Sequence, residues 1–325
     1  RGLSCRPPYH GFMVVVARRC RQCFHITPVM NIVFLDRSTF ARDVRFPTDA
    51  LGDCRWQDWP FTRPDDVVAR TREADIVLTN KVRITAEHIA ALPRLRLIAA
   101  TATGVDNIDV DAARARDIGV CNVRGYAVRT VPEHVFALML ALRRSLPAYR
   151  DDVRAGRWSR ADVFSLLTQP IRDLAGSTLG VAGSGSLGEA VARLGRAFEM
   201  RVLFAERRGA PTVRQGRAAF DQVLAESDVI SLHLPLTPET RHLIGAPELA
   251  RMKPGAILIN TARGALVDAV ALVESLQRSH LGGAGIDVLD VEPPPPDHPL
   301  LRANLPNLIV TPHVAWASIE AQQRL

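Results

Sequence analysis

The sequence predicts an α/β protein built from two doubly wound parallel sheets. Three observations carry that reading. Short apolar runs alternate with helical stretches, and the alternation recurs in two successive series. The third is a length of 325 residues, more than one hydrophobic core ordinarily serves.

The first series begins at Met30, with predicted strands at 32–35, 76–79, 95–99 and 119–123. Helical stretches fall between them at 65–73, 85–92 and 110–117. Alternating βα units imply parallel strands covered on both faces. A longer amphipathic helix follows over 132–144, with Glu133 in its first turn and Arg143 and Arg144 in its last, as the helix dipole favours. Residues 156–176 read as a loop. The second series has predicted strands at 178–182, 201–205, 228–234, 256–260, 285–288 and 308–311, with helices at 187–198 and 267–276. The run Pro293 to Pro296 is a rigid connector. The last helical stretch, 318–325, stops without the usual end signals and reads as a cut chain.

Composition narrows the function classes. The pI of 9.7 suggests nucleic acid until the charge is located. Residues 1–29 carry five arginines (Arg1, Arg6, Arg18, Arg19, Arg21) and no acid. The rest has 36 basic and 34 acidic side chains, a net of +2, so no nucleic-acid partner is expected. The segment 1–29 is read as an extension, with translation expected to begin at Met30 and a transit peptide as the alternative. The apolar run Val14-Val15-Val16-Ala17 is too short for a membrane span. Cys20 and Cys23 form a lone CxxC with no second pair, so no metal is expected. Cys5, Cys54 and Cys121 are scattered, and a reduced, cytoplasmic protein is the default.

Chemistry first appears at Gly183-Ser184-Gly185-Ser186-Leu187-Gly188, a GxGxxG that leaves an apolar strand and opens a helix. In a Rossmann-like unit Gly183 permits the tight turn, Gly185 admits a pyrophosphate to the backbone, and Gly188 lets helix and strand touch. The helix start offers unpaired N–H groups to the phosphates. Eighteen residues after Gly188, the next strand ends at Glu206, placed for the adenosine ribose hydroxyls. A carboxylate there favours NAD; Arg207 and Arg208, which follow directly, leave NADP open.

Ligands of doubly wound sheets bind beyond the carboxyl ends of strands. Arg263 sits at such an end, Glu292 lies past the strand at 285–288, and His313 follows the strand at 308–311 by one proline. These residue types suit reduction of a 2-oxo acid. A guanidinium binds carboxylate and carbonyl in one plane, and a histidine donates a proton to the developing alkoxide. A carboxylate beside a histidine orients the ring and favours its charged form.

Seven ordered motifs between Met30 and Leu325 now carry a resemblance. They are Ala100-Thr-Ala-Thr-Gly-Val-Asp-Asn107, Val131-Pro-Glu-His134, Gly183 to Gly188, and Ser227-Asp-Val-Ile-Ser-Leu-His-Leu-Pro-Leu-Thr237. Asn260-Thr-Ala-Arg-Gly264, Asp287-Val-Leu-Asp-Val-Glu-Pro293 and Pro312-His-Val-Ala-Trp-Ala-Ser318 complete them. The chain resembles the D-isomer-specific 2-hydroxyacid dehydrogenase family, within it the glycerate dehydrogenase/hydroxypyruvate reductase group. The resemblance implies an NAD-dependent oxidoreductase, NADP being possible, with Arg263, Glu292 and His313 as its catalytic residues. It places Ser186 and Leu187 at the pyrophosphate and Leu234, Pro235 and Thr240 beside the cofactor. Thr261 and Asp287 are expected near the nicotinamide, with Ala262 also among the cofactor-binding residues. The backbone of Thr103, Gly104 and Val105 would receive the substrate carboxylate, Gly104 having no Cβ in the way.

The same resemblance orders the domains. Residues 30–127 plus 314–325 form a flavodoxin-like substrate domain, and 128–313 form the inserted dinucleotide-binding domain, with substrate in the cleft between them. The long helix from Pro132 implies a homodimer, and His134 reads as a packed histidine. Residues 1–29 have no family counterpart, and the early end of the last helix departs from the pattern. A corepressor-like protein that senses NADH on the same scaffold is the alternative. Trp316 resembles the reductase group that takes hydroxypyruvate or glyoxylate, without deriving either substrate.

Overall fold

Runs of aliphatic and β-branched residues form two separate parallel sheets in the computed structural model, which describes residues 29–325. The Cys20–Cys23 pair, the Val14–Ala17 run and the five N-terminal arginines lie outside the described residues. The described chain divides into two units: 29–126 with Ile319–Leu325, and the continuous segment Ala127–Ser318.

The first unit contains β1 (Met30–Phe34), β2 (Cys54–Asp58), β3 (Ile76–Thr79), β4 (Leu97–Ala100) and β5 (Gly119–Cys121), in the order β2-β1-β3-β4-β5. This all-parallel order is the flavodoxin-like one. Alternation along the first strand divides its side chains between two cores. Val33 and Leu35 pack with Val77 and Ile98; Phe34 packs with Phe40, Phe46 and Trp56 in an aromatic cluster. The edge strand β2 was not predicted. Its sequence, Cys-Arg-Trp-Gln-Asp, is polar and only partly buried, so it lacks the apolar signal of the interior strands. The helix Ile319–Arg324 belongs to this unit: Gln322 Oε1 accepts the Ala41 N–H at 2.7 Å, and Leu325 packs on the Phe34 cluster.

The second unit contains β6 (Thr178–Ala182), β7 (Arg201–Phe204), β8 (Val229–Leu232), β9 (Ile257–Asn260), β10 (Gly283–Ile286) and β11 (Leu308–Val310). Their order is β11-β10-β9-β8-β6-β7, and every pair is parallel. An isolated parallel bridge, Ala205 with Ala218, stands beyond β7 where a third strand of a nucleotide-binding half would lie. Strands β6, β8 and β9 are buried along their whole length, as central parallel strands must be. The strand order reverses between β6 and β8, so the crevice beyond their carboxyl ends is the switch point where such sheets bind ligands.

The long helix runs Thr130–Arg143 and packs on β9, β10 and the helix Ser186–Ala197. It starts two residues before the predicted position, and Pro132 falls in its first turn, where a missing N–H costs nothing. An unpredicted helix, Leu146–Arg154, follows a left-handed Ser145, and a short 3-10 turn, Trp158–Arg160, interrupts the expected loop. The helix predicted at 267–276 is Ala269–Gln277, capped by the Asp268 carboxylate on the Val270 and Ala271 N–H groups. The unit boundary falls after Ser318 rather than after His313. Asp287 explains the shift, because its carboxylate holds the N–H groups of Val314 and Ala315 at 2.9 Å.

Candidate active site

The glycine loop is shaped by close approach. Gly183 has φ +106°, and a Cβ on it would stand 2.3 Å from the His233 carbonyl oxygen. At Gly188 a Cβ would come within 1.9 Å of the Gly183 carbonyl oxygen, so neither position admits a side chain. Gly185 differs, with nothing within 4 Å of its would-be Cβ: the loop is tight below and open above. Gly185 also caps the helix Ser186–Ala197, so exposed Ser186 and half-buried Leu187 supply first-turn N–H groups at that opening. This loop fits a pyrophosphate.

Beside it lies a cavity of about 760 Å³, within the range of a cofactor site. Gly183 and Ser184 line it after β6, Glu206 to Arg208 after β7, and Leu234, Pro235 and Thr240 after β8. Thr240 Oγ1 accepts the Thr237 N–H at 2.7 Å and donates to the Pro235 carbonyl at 2.9 Å, which braces that third wall. Glu206, expected to hold the ribose hydroxyls, is 4% exposed and its carboxylate is already engaged. Oε1 accepts the Arg207 N–H (2.8 Å) and Arg214 Nη2 (2.5 Å); Oε2 accepts Arg214 Nε (2.7 Å) and the Arg214 N–H (3.3 Å). The Arg214 hydrogen bonds first, and the Arg207 N–H next, hold the Glu206 carboxyl well below the usual carboxylate range. Arg217 donates to Ser184 Oγ and to the Ala205 carbonyl, which staples the glycine loop to the end of β7.

His233 supports the glycine loop from beneath. Its N–H donates to the Ala182 carbonyl at 2.7 Å, and its ring Nε2 is 2.9 Å from Ser231 Oγ. Burial pushes its ring down to about 4, so it is neutral at pH 7.

A second group of residues gathers beyond β9, β10 and β11. His313 Nδ1 is 2.6 Å from Glu292 Oε2, and Glu292 Oε1 accepts the Leu289 N–H at 2.8 Å. The His313 backbone is left-handed (φ +56°), and its N–H donates to the Asp287 carbonyl at 2.8 Å. Arg263 follows β9, where the turn is braced by buried Asn260: Oδ1 accepts the Ala262 N–H at 3.0 Å and Nδ2 donates to the Arg263 carbonyl at 2.9 Å. Arg263 Nη1 donates to the Ala262 carbonyl at 2.8 Å. Gly264 then lies backbone to backbone on the loop after β10, since a Cβ there would stand 1.9 Å from the Leu289 carbonyl carbon. The arginine loop thus touches the loop that carries Glu292, and Glu292 reaches His313.

Asp287, expected beside the nicotinamide, is buried and turned toward the histidine loop. Its Oδ1 accepts Thr311 Oγ1 (2.6 Å) and the Val314 N–H, and its Oδ2 accepts the Ala315 N–H. His134 Nε2 lies 3.0 Å from Thr311 Oγ1 and 3.6 Å from Asp287 Oδ1, so this histidine belongs to the polar network rather than to apolar packing. Thr261 has a buried hydroxyl with no partner among the described residues, an orphan that suits a ligand amide. In the first unit, exposed Thr103 sits on the loop after β4, where its Oγ1 donates to the Val123 carbonyl at 2.8 Å; half-buried Gly104 and Val105 continue that loop.

Asn260, Thr311, Arg214 and Arg217 are the functional candidates that sequence reasoning missed. Asn260 opens a motif already noticed, so its place was legible although its bracing role was not. The two arginines lie in a loop without periodicity, and nothing in the sequence ties them to Glu206. Among the described residues there is no cluster of metal-ligating side chains and no helix long and apolar enough to cross a membrane.

Comparison with known proteins adds to this geometry. Residues 136–315 match the profile of the D-isomer specific 2-hydroxyacid dehydrogenase, NAD binding domain. Glycerate dehydrogenase of Methylorubrum extorquens is 46% identical, covering 91% of this chain and 92% of its own. An acyclic imino acid reductase in complex with NADPH and D-Arg superposes with a TM-score of 0.78 at 28% identity, over 91% of this chain and 93% of that one. D-lactate dehydrogenase from Aquifex aeolicus, complexed with NAD and lactic acid, gives a TM-score of 0.76 at 32% identity, over 90% and 91%.

Proposed function

Because the chain belongs to the D-isomer specific 2-hydroxyacid dehydrogenase family, and is therefore an NAD(P)-linked 2-hydroxyacid oxidoreductase, we propose that it reduces a small 2-oxo acid, hydroxypyruvate or glyoxylate, to D-glycerate or glycolate. The observation that carries this reading is the 2.6 Å pair of His313 with Glu292, on loops joined to that of Arg263. When bound, a reduced nicotinamide dinucleotide supplies the hydride.

The protein's own residues do the rest. The Arg263 guanidinium binds the substrate carboxylate and steadies the charge that grows on the carbonyl oxygen. With Nδ1 held by Glu292, the His313 ring presents Nε2 and gives its proton to that oxygen. The 2-oxo carbon would gain that hydride and its oxygen the His313 proton, so that the balance closes at the 2-hydroxy acid. Glu292 keeps the ring oriented because its other oxygen is tied to the Leu289 N–H. Asp287 and Thr311 fix the backbone that carries His313.

A homodimer goes with this reading. Leu146, Val153, Trp158, Val163, Phe164 and Leu167 are all exposed, Phe164 at 92%, within a short stretch after the long helix. A run of bare apolar side chains of this kind is ordinarily covered by a partner. Sedimentation should give twice the chain mass, and a monomer would remove this part. A cytoplasmic location fits Cys54 and Cys121, which are free thiols.

The test follows dinucleotide absorbance with hydroxypyruvate, glyoxylate, pyruvate and phenylpyruvate offered in turn, against an Arg263→Ala control. Hydroxypyruvate or glyoxylate should be reduced fastest, and the control should lose roughly 10²–10³-fold in kcat. If none of the four is reduced, the reading fails.

A further inference from the structure

The cavity wall after β7 combines one carboxylate with four arginines: Glu206 against Arg207, Arg208, Arg214 and Arg217. An acid at this strand end would ordinarily bond the adenosine ribose hydroxyls and repel a 2′-phosphate. Glu206 does neither. A carboxylate has about four acceptor positions, and the Arg207 N–H and the three Arg214 donors occupy them. Its charge is also met by the two-pronged Arg214 pair, with Arg217 Nε 4.0 Å away. A ribose hydroxyl arriving here finds no open acceptor on Glu206.

The arginines differ in what they have left to give. Arg217 is spent on Ser184 and the Ala205 carbonyl. Arg208 pairs with Glu248 at 3.2 Å, and its side chain is 44% exposed. Arg207 is exposed and has no ion pair among the described residues. Among the described residues the other acid on the cavity wall is Glu239, on the opposite loop beside Thr237 and Thr240. The wall after β7 is therefore a cluster of planar cations around a neutralised acid. A solvated surface turn would explain two exposed arginines, but not the third arginine that cancels the one acid able to select a bare ribose.

Resting on the dehydrogenase reading, we propose that Arg207, Arg208 and Arg214 form a subsite for the 2′-phosphate of NADPH, and that Arg214 sets this preference by occupying Glu206. A 2′-phosphate brings roughly 1.5–2 negative charges and three acceptor oxygens. Guanidinium groups match it in the plane, as an ammonium would not. Arg207 supplies the uncommitted donors, Arg208 swings from a half-exposed pair, and Arg214 offers whatever its Glu206 contacts leave free.

Calorimetric binding of 2′,5′-ADP and of 5′-AMP to the whole protein tests the subsite without turnover. The 2′-phosphorylated ligand should bind about tenfold or more tighter. In the double variant Arg207→Gln/Arg208→Gln that ratio should collapse toward one. Arg214→Gln should release Glu206 and move the NADPH-to-NADH ratio of kcat/KM toward NADH. Equal binding of the two nucleotides by the unaltered protein overturns the proposal, as does a double variant that weakens both equally. If 2′,5′-ADP binds preferentially while no 2-oxo acid is reduced with either dinucleotide, the subsite stands and the reductase reading falls.

Discussion

Two glutamates stand beyond strands of the same sheet, and their surroundings set them to opposite uses. Glu206, after β7, is nearly sealed and spends both oxygens on Arg214 and neighbouring N–H groups. Glu292, beyond β10, keeps its side chain 33% exposed, fastens one oxygen to the Leu289 N–H and turns the other to His313. Position beyond a strand end is common to both; the partner decides the role. One carboxylate neutralises and is neutralised in place, and the other, in the proposed reaction, orients a proton donor.

The largest effect that sharpens this contrast should come at the histidine. His313→Asn removes the donor that Glu292 holds, and kcat should fall roughly 10²–10⁴-fold with the melting curve little changed. A loss of less than tenfold in steady-state rate would detach the Glu292 pair from catalysis. Glu292→Gln comes next. It keeps a hydrogen-bonding oxygen but not the charge, so kcat should drop by about tenfold or more, short of the loss at His313. An equal loss of binding and rate would make Glu292 a scaffold residue like its counterpart.

Glu206→Gln should do the reverse: lower the denaturant midpoint with an unchanged m-value, because Arg214 loses a charge-assisted pair, and leave kcat within about twofold at saturating cofactor. Its pH dependence has a definite sign. Glu206 is held below its unfolded value, so its contribution is present above the ordinary glutamate range and is lost as pH falls through it. The smallest effect concerns His233, beneath the glycine loop. Its ring is depressed to about 4, so stability is full above about pH 6.5 and declines as the pH falls from there toward 4. Equilibrium unfolding at pH 7 and pH 5 should show the decline, and His233→Gln should flatten the slope.

The contrast also marks how far the sequence could be read. Strands β6, β8 and β9 announce themselves as mostly apolar runs because they are buried on both faces. Strand β2 stays silent because it is an edge of polar residues held by pairing with β1. The glycine loop was legible since backbone approach admits only glycine, and Gly183 and Gly188 carry that constraint in their identity. Arg263, Glu292 and His313 were picked out by strand ends and the chemistry they share, and the fold puts His313 against Glu292 and the arginine loop against the loop of Glu292. The occupation of Glu206 was not, because Arg214 lies in an irregular loop whose path only the fold specifies. The partners of Asp287 were hidden for a related reason: a carboxylate one residue past a strand looks available until the backbone groups it holds, more than twenty residues away, are in place.

The chain's own timetable follows from how its first unit is closed. That unit includes Ile319–Leu325, where Gln322 Oε1 reaches the Ala41 N–H and Gln323 bonds both ways to the Arg45 backbone. The intervening Ala127–Ser318 is continuous and has all its partners earlier in synthesis. On a ribosome that adds roughly 5–20 residues each second, the strands of the first unit wait about ten seconds or more for this helix, while the intervening unit can form before it. The earlier-made strands thus wait for contacts from a segment made far later, among them Leu325 on the aromatic cluster around Phe34.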